Sequence, residues 1–516
     1  MIKQTIFRFI VLIVLILPGL VSNAQDPPLR IEIETKSDAA TYKVTTCADK
    51  GVMLFYETTI EQDEYKFWVF VFYNKFLHEA WKKDVPVFKN MNYSKHAYRS
   101  DFLFILFNDS DKKKSEAYNY QILKINIAEG SYELFSGEIP DKSRLVAFDE
   151  IGNLIIAGAN QDDFHAGIYS LNTESKETKP IYEITEYNAR IENIYVDTIR
   201  NSFIGIFNVH ESKTAQYLLL KEFDINGNPV NSIKVFPEPG KKFNSVKIKS
   251  VNENERLLIG TYDILKGNAI DTKNYFNKES SGFFTTRIIN EDKIETRYFN
   301  FLELENMTGY LKSKEYQTAR KKAGKDEENL DKYSIDFDLL LHDIIQRDNL
   351  YYFIAEAIYE EYHTVTSTYY DYYGRPVPVS YSVFDGYRYF NAFLTCFDQN
   401  GNKLWDNGME IFNILSFDLK KRVCLYFDKN DIILAYNREG KVASKIINGP
   451  KVVEGVGYYP LETTYANDKV MDDTKSNMEY WYGNYFIAYG FQTIKNNSLT
   501  RNSKRIVFYI NKLAFQ

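Results

Sequence analysis

The sequence predicts an all-β protein, a single ring of seven or eight four-stranded antiparallel blades, eight by the literal count. Three observations predict it. A short apolar run recurs about every fifty residues. The runs are apolar on successive residues, as in strands buried on both faces. The composition, with 41 Tyr and 37 Phe against 13 Pro and 25 Gly in 516 residues, is that of packed strands and not of a disordered chain.

The runs are G-V-M-L-F-Y-E from Gly51, D-F-L-F-I-L-F-N from Asp101, N-L-I-I-A-G-A-N from Asn153 and N-S-F-I-G-I-F-N from Asn201. R-L-L-I-G-T-Y-D from Arg256, N-L-Y-Y-F-I-A-E from Asn349, D-I-I-L-A-Y-N from Asp431 and N-Y-F-I-A-Y-G from Asn484 continue the series. Successive starts lie 50, 52, 48, 55, 93, 82 and 53 residues apart, and the two long intervals read as insertions. Each run has a strand-like segment before it, another after it and often a weaker fourth. Four antiparallel strands with the second most buried make one blade. F-D-I-N-G-N and F-D-Q-N-G-N, from Phe223 and Phe397, read as tight turns between third and fourth strands. In the second stretch a calcium loop would need Gly at its sixth position and Glu at its twelfth. Gly401 is fourth and Met409 twelfth, so the turn reading holds.

The eighth unit ends at the C-terminus with three strands. The strictly alternating L-R-I-E-I-E-T, residues 29–35, is expected to supply the fourth and close the ring. In repeat length, strand rhythm and turns, most of the chain resembles the β-propeller repeat proteins, particularly divergent exported bacterial ones. No WD dipeptide, kelch double glycine or Asp-box recurs, so the resemblance implies a fold and no functional subfamily. An outer-membrane barrel is the competing all-β fold, but its strands would alternate over about ten residues. F-L-F-I-L-F does not.

At the N-terminus, Lys3 and Arg8 precede an apolar stretch, and Ser22-Asn23-Ala24 fits a small-residue cleavage site. Residues 1–24 are expected to be a signal peptide, leaving residues 25–516 as one exported domain in the periplasm, at the outer membrane or outside the cell. No later apolar run is long enough to span a bilayer. Loss of Lys3 and Arg8 takes the formal charge from −7 to −9, and no basic run offsets it, which argues against nucleic acid. Three cysteines, Cys47, Cys396 and Cys424, are too few for a disulfide scaffold.

Three insertions are expected at 301–334, 364–387 and 459–480, all on the face carrying the connections between blades. The first reads as mostly helical, ending near Gly324. The second is rich in Tyr and Arg, residue types favoured in binding hot spots. Its candidate binding residues are Tyr369, Tyr370, Tyr372, Tyr373, Arg375, Tyr381, Phe384 and Tyr387. They are read either as an interaction loop, shaped as an extended β-hairpin, or as packing for the helical insertion.

Catalytic signals are sparse. The six histidines form no metal-ligand spacing, and neither a nucleophile elbow nor a phosphate loop occurs, so no metal, cofactor or catalytic residue is assigned. Glu356 sits in an apolar run, where pairing with a base is the simpler expectation. Asn108, Asp109 and Asp111 read as a solvated loop. The expected function is non-enzymatic: a protein-interaction module or accessory subunit of a cell-envelope complex. A carbohydrate-binding or carbohydrate-active protein is the alternative.

Overall fold

The computed structural model describes residues 29–109, 118–161, 165–212, 215–265, 279–305, 314–325, 331–333, 335–498 and 503–515. The proposed signal segment, residue Asp111 and parts of the 301–334 insertion lie outside these residues.

Eight antiparallel sheets form an eight-bladed β-propeller. Blade one contains Lys43–Cys47, Gly51–Gln62, Tyr65–Asn74 and Glu79–Phe88. Blades two to five follow the same order and end near residues 137, 184, 235 and 300. Blade six is built on Phe337–Leu341, Leu350–Tyr370, Pro376–Asp398 and Lys403–Ser416. Blade seven has Cys424–Asp428, Asp431–Arg438, Lys441–Asn448 and Lys451–Pro460. The first strands of neighbouring blades touch one another, which puts them at the axis.

Each predicted apolar run forms the second strand of its blade. Ser202–His210 shows why such a run needs no alternation: all nine of its residues are buried. Both of its faces meet neighbouring blades, and both of its edges are paired. An apolar cluster fills every junction, from blades one and two around to blades seven and eight. The last junction, between blades eight and one, includes Val44, Val52, Ile487 and Phe508, so the ring is closed by packing.

It is also closed by hydrogen bonding. Arg30–Thr35 pairs with Lys504–Ala514, from Arg30 opposite Asn511 to Thr35 opposite Ile506, and completes the sheet of Lys469–Tyr482 and Tyr485–Lys495. The helical insertion contributes helix α1 (Lys314–Ala323), which Gly324 follows. All three cysteines are free thiols.

The insertion at 364–387 is the extended β-hairpin expected as one of its forms, whereas the one at 459–480 is not an inserted loop. Strand structure runs through most of 364–387, leaving a turn at 371–375. Residues 459–480 are mostly strand as well: the end of Lys451–Pro460, a connection at 461–468, and the long first strand of blade eight. Their solvent exposure gives these strands the local character of a loop.

The F-D-Q-N-G-N turn is a strand connection. Asp398 Oδ1 accepts from the backbone N–H groups of Asn400 and Asn402, both at 2.8 Å. Gly401 holds φ +75°, and its carbonyl accepts from Thr285 Oγ1 of blade five at 2.8 Å. A Cβ on Gly401 would come 2.8 Å from that same oxygen, whereas one on Gly227, in the sister turn at φ +83°, would lie 3.3 Å from a flexible Ile181 methyl. Gly227→Ala is therefore expected to cost about 1–2 kcal/mol of backbone strain. Gly401→Ala should cost about 2–4 kcal/mol because a buried contact must also shift. Urea unfolding of the two variants measures the difference, and equal losses would mean that the turn does not brace blade five.

Candidate functional site

The second and third strands of blade six continue beyond the ring as a two-stranded hairpin. Pairing persists from Leu350 opposite Asp398 to Tyr370 opposite Pro376, with register shifts at Ala357/Ile358 and Glu361/Tyr362. Such bulges bend a ribbon and re-aim it. The tip uses the same turn as F-D-Q-N-G-N. Asp371 Oδ1 accepts from Tyr373 and Arg375 N–H, each at 2.9 Å, and Gly374 holds φ +72°.

Strand alternation sorts the side chains. Val365, Tyr369, Val377, Val379 and Tyr381 share one face, while Thr364, Thr366, Thr368, Ser380 and Ser382 share the other. The apolar face is not covered: Tyr369 is 53% and Tyr381 51% exposed. At the tip Tyr372 is 96% and Tyr373 77% exposed, and Tyr370 on the Thr/Ser face is 71% exposed. Each of these tyrosines is thus at least half open to solvent. Arg375 braces the turn through Asp371 at 3.0 Å and lies over the Tyr373 ring.

Phe384 and Tyr387 have a different place from the other predicted residues. Both are half-buried at the hairpin base, with ring centroids 5.2 Å apart. Phe384 also packs on Tyr362 at 5.4 Å and on Phe417 at 6.1 Å. Arg388 clamps Glu361 with two bonds of 2.7 Å and reaches Asn413 at 3.0 Å. The base is thus fixed and the tip presented.

Phe417 and Asn413 also border a cleft of about 610 Å³ between blades six, seven, eight and one. Its wall includes Tyr42, Lys43, Lys420, Arg422, Asp473 and Lys475. Burial raises Asp473 to a pKa of about 7, against the opposing effect of the hydrogen bond from Gln492 Nε2. Behind the cleft, Tyr489 Oη donates to Glu479 Oε1 at 2.6 Å, and burial pushes the Glu479 carboxyl upward.

Glu356 has a structural place. Its buried Oε1 accepts from Arg422 N–H at 2.7 Å and Val423 N–H at 2.8 Å, and it pairs with His342 Nε2 at 2.7 Å. It ties blade six to the start of blade seven. Asp109 accepts from Asn90 Nδ2 at 3.2 Å. Among the described residues, no group of three or more His, Cys, Asp or Glu side chains is arranged to hold a metal ion.

The sequence reading missed the cleft and the charges on the innermost strands. Lys43, Lys95, Arg144, Arg190 and Lys242 each lie within the first four residues of an innermost strand. They recur at intervals of 52, 49, 46 and 52 residues, a blade-length period with no local basic run.

No family model matches the chain, and no curated protein matches it. Weak structural similarity exists to polysaccharide lyase Uly1, at 8% identity, covering 82% of this chain and 89% of that one, with a TM-score of 0.38. The β-propeller domain of the Trilobed protease from Pyrococcus furiosus is 8% identical over 83% of this chain and 95% of that one, with a TM-score of 0.34. Sqt1 of Saccharomyces cerevisiae is 8% identical over 94% of this chain and 98% of that one, with a TM-score of 0.41. The assignment to the β-propeller class stands on the eight sheets themselves. No helix among the described residues is long and apolar enough to cross a membrane.

Proposed function

We propose that the protein is an exported, non-enzymatic propeller that binds a protein partner of the cell envelope through the blade-six hairpin. The observation that carries this reading is the exposed Val/Tyr face of a ribbon that stands clear of the ring. A two-stranded hairpin alone is marginal in water, and an apolar face left open on it gains most from being covered. Tyr369 and Tyr381 supply large contact area with few rotatable bonds, and the tip adds Tyr372 and Tyr373. The clamped base lowers the ordering cost of binding.

Thr364 and Ser382 face each other across the ribbon, so joining them through an Asn-Gly turn removes the outer hairpin and leaves its base. Affinity purification from native envelopes, followed by mass spectrometry, compares this truncation with the parent. The partner is expected to be lost from the truncated chain, and Tyr369→Ala/Tyr381→Ala should weaken its retention. Retention of every partner by the truncation would exclude the hairpin as the interface. Unfolding should be nearly unchanged, because no junction cluster contains an outer-hairpin residue.

A second reading, carbohydrate binding, is supported by the cleft, where Tyr42 and Phe417 stand beside charged side chains. A glycan array with the hairpin-truncated chain tests it separately from the protein interface.

A further inference from the structure

The blade-six hairpin has two edges, and they differ. Its first strand pairs with the innermost strand of the blade only as far as Ile358, and its second with the outer strand only as far as Tyr387. Beyond Glu360, which stands opposite Tyr387, no strand among the described residues flanks the ribbon on either side. Within residues 364–370 all side chains but that of Val365 are exposed.

The tip sets which backbone groups point outward. Asp371 N–H donates to the Arg375 carbonyl and Gly374 N–H to the Asp371 carbonyl, each at 2.9 Å, so the turn closes on a hydrogen-bonded pair. Bonded and non-bonded pairs alternate along an antiparallel ladder. Counting back through the register, Tyr369, Ser367 and Val365 bond inward, whereas Tyr370, Thr368, Thr366 and Thr364 turn their N–H and C=O groups outward. Two observations agree with this. Pro376 and Pro378, which have no N–H, stand opposite Tyr370 and Thr368 and so occupy outward positions. Thr366 Oγ1 and Ser380 Oγ lie 2.9 Å apart, as suits the closer spacing of a non-bonded pair.

On the second strand the prolines thus remove two outward donors, a common way of blocking an exposed edge. The outer strands of blades one, three and four likewise carry Pro86, Pro180 and Pro229. Residues 364–370, T-V-T-S-T-Y-Y, keep every outward donor and contain no proline, glycine or charge. An exposed, uncharged, β-branched edge of this kind is a template for another strand.

We propose that two copies of the chain pair edge to edge through residues 364–370, antiparallel about Ser367, and build one four-stranded sheet from two hairpins. In this register Thr364 meets Tyr370 and Thr366 meets Thr368 of the other copy, so every outward N–H faces an outward C=O. Val365 meets Tyr369, an aromatic–β-branched pair, and no charge meets a like charge. A second copy fits because the assembly closes. The new outer edges are the two proline strands, so growth stops at two copies. Pairing also joins the two Val/Tyr faces and turns two marginal ribbons into one broader sheet. Ser367 lies seven residues beyond Glu360, roughly 23 Å at about 3.3 Å per residue. Antiparallel pairing sends the two rings in opposite directions from there, which leaves room for both. The inference rests on the hairpin being an interaction element, as proposed above, but it uses the edge of the ribbon and not its face.

Sedimentation equilibrium of the full chain, purified after export, tests it. A monomer–dimer equilibrium is expected. Seven residues a side make less than a standard interface, so the dimer should dissociate on dilution. Thr366→Pro/Thr368→Pro removes two outward N–H groups and none of the hairpin's own bonds, and should raise the dissociation constant at least about tenfold. Ser367→Cys reads the register independently. Its two copies would face each other in a non-bonded pair with Cα atoms about 4.5 Å apart, within disulfide range. Mild oxidation is expected to give a covalent dimer, whereas Ser380→Cys, on the proline edge, should not cross-link. Should the proline variant lose its cooperative unfolding transition, the two cysteine variants decide. The proposal is overturned if the chain stays monomeric at every concentration, if folded proline variants dimerise like the parent, or if residues 367 and 380 cross-link equally. No envelope partner takes part in these measurements, so absence of the dimer leaves the proposed function standing. Retention of every envelope partner by the truncated chain overturns that reading alone.

Discussion

Arg505→Met is expected to lower stability by about 3–5 kcal/mol, the cost typical of removing one partner from a buried ion pair. Arg505 donates to Asp468 at 3.1 and 2.7 Å and to Glu32 at 3.2 and 3.0 Å. The side chains of all three are nearly closed to solvent, at 4%, 0% and 10% exposure. Glu32 belongs to the strand that closes the ring, and it also accepts from Arg30 at 2.8 Å. Arg505 therefore ties the N-terminal strand, the last strand and the connection between blades seven and eight into one latch. Met fills similar volume but leaves the buried Asp468 carboxylate without its cation, while Glu32 keeps only Arg30. Burial is the largest single influence and would raise the Asp468 pKa, but hydrogen bonds from Arg505, Asn496 Nδ2 and the Tyr465 N–H, with the Arg505 charge, together outweigh it and hold the carboxyl below its ordinary value. A lowered carboxylate pKa contributes stability above the unfolded value and loses it as pH falls through the folded one. The parent's advantage over the variant should therefore be full at neutral pH and shrink in acid. Urea unfolding measures both effects. A loss below about 1 kcal/mol would mean that the latch behaves as a surface ion pair.

Ring closure was legible because residues 29–35 alternate strictly and the last unit lacks a fourth strand. The blade count was legible because second strands such as Ser202–His210 are apolar on both faces. The hairpin was legible as an aromatic-rich segment, but its two faces were not. Val365, Val377 and Val379 join Tyr369 and Tyr381 only once the register is known, and a bulge at Glu361/Tyr362 resets that register. Tyrosine content alone also grouped Phe384 and Tyr387 with the tip, whereas the fold uses them at the base. The axial charges were hidden for a different reason. Lys43, Lys95 and Arg144 are about fifty residues apart, so a search for local basic runs passes over them. Only the repeat period, applied to charge as well as to apolar runs, brings them to one ring. The expected insertion at 459–480 reflects the opposite error, because an exposed edge strand and a polar inner strand have loop-like composition.

Asp473→Asn is expected to raise stability at pH 8 and to change it little at pH 4. In the folded chain Asp473 has a pKa of about 7, against an ordinary value of 3.8, with burial as the main cause. Below pH 3.8 the carboxyl is protonated both folded and unfolded, so its ionisation costs nothing. Between 3.8 and 7 the folded state holds the proton and the unfolded state releases it, so stability falls as pH rises. Above 7 the whole cost is present, with an upper bound of about 4 kcal/mol and a smaller value to the extent that cleft water screens the charge. Asn removes that dependence. Asp473 accepts from Gln492 Nε2 at 2.8 Å and hydrogen-bonds the Ser476 hydroxyl. Arg30 of the closing strand donates to Gln492 Oε1 at 2.7 Å, so the same chain of bonds joins the cleft wall to the latch. Urea midpoints of parent and variant across pH 4–8 read the difference directly. A variant equal to or weaker than the parent at pH 8 would show that Asp473 ionises without penalty, which requires a cleft wetter than its lining suggests. Parallel curves would place the titrating group elsewhere, with Glu479, raised by its own burial, the next residue to replace.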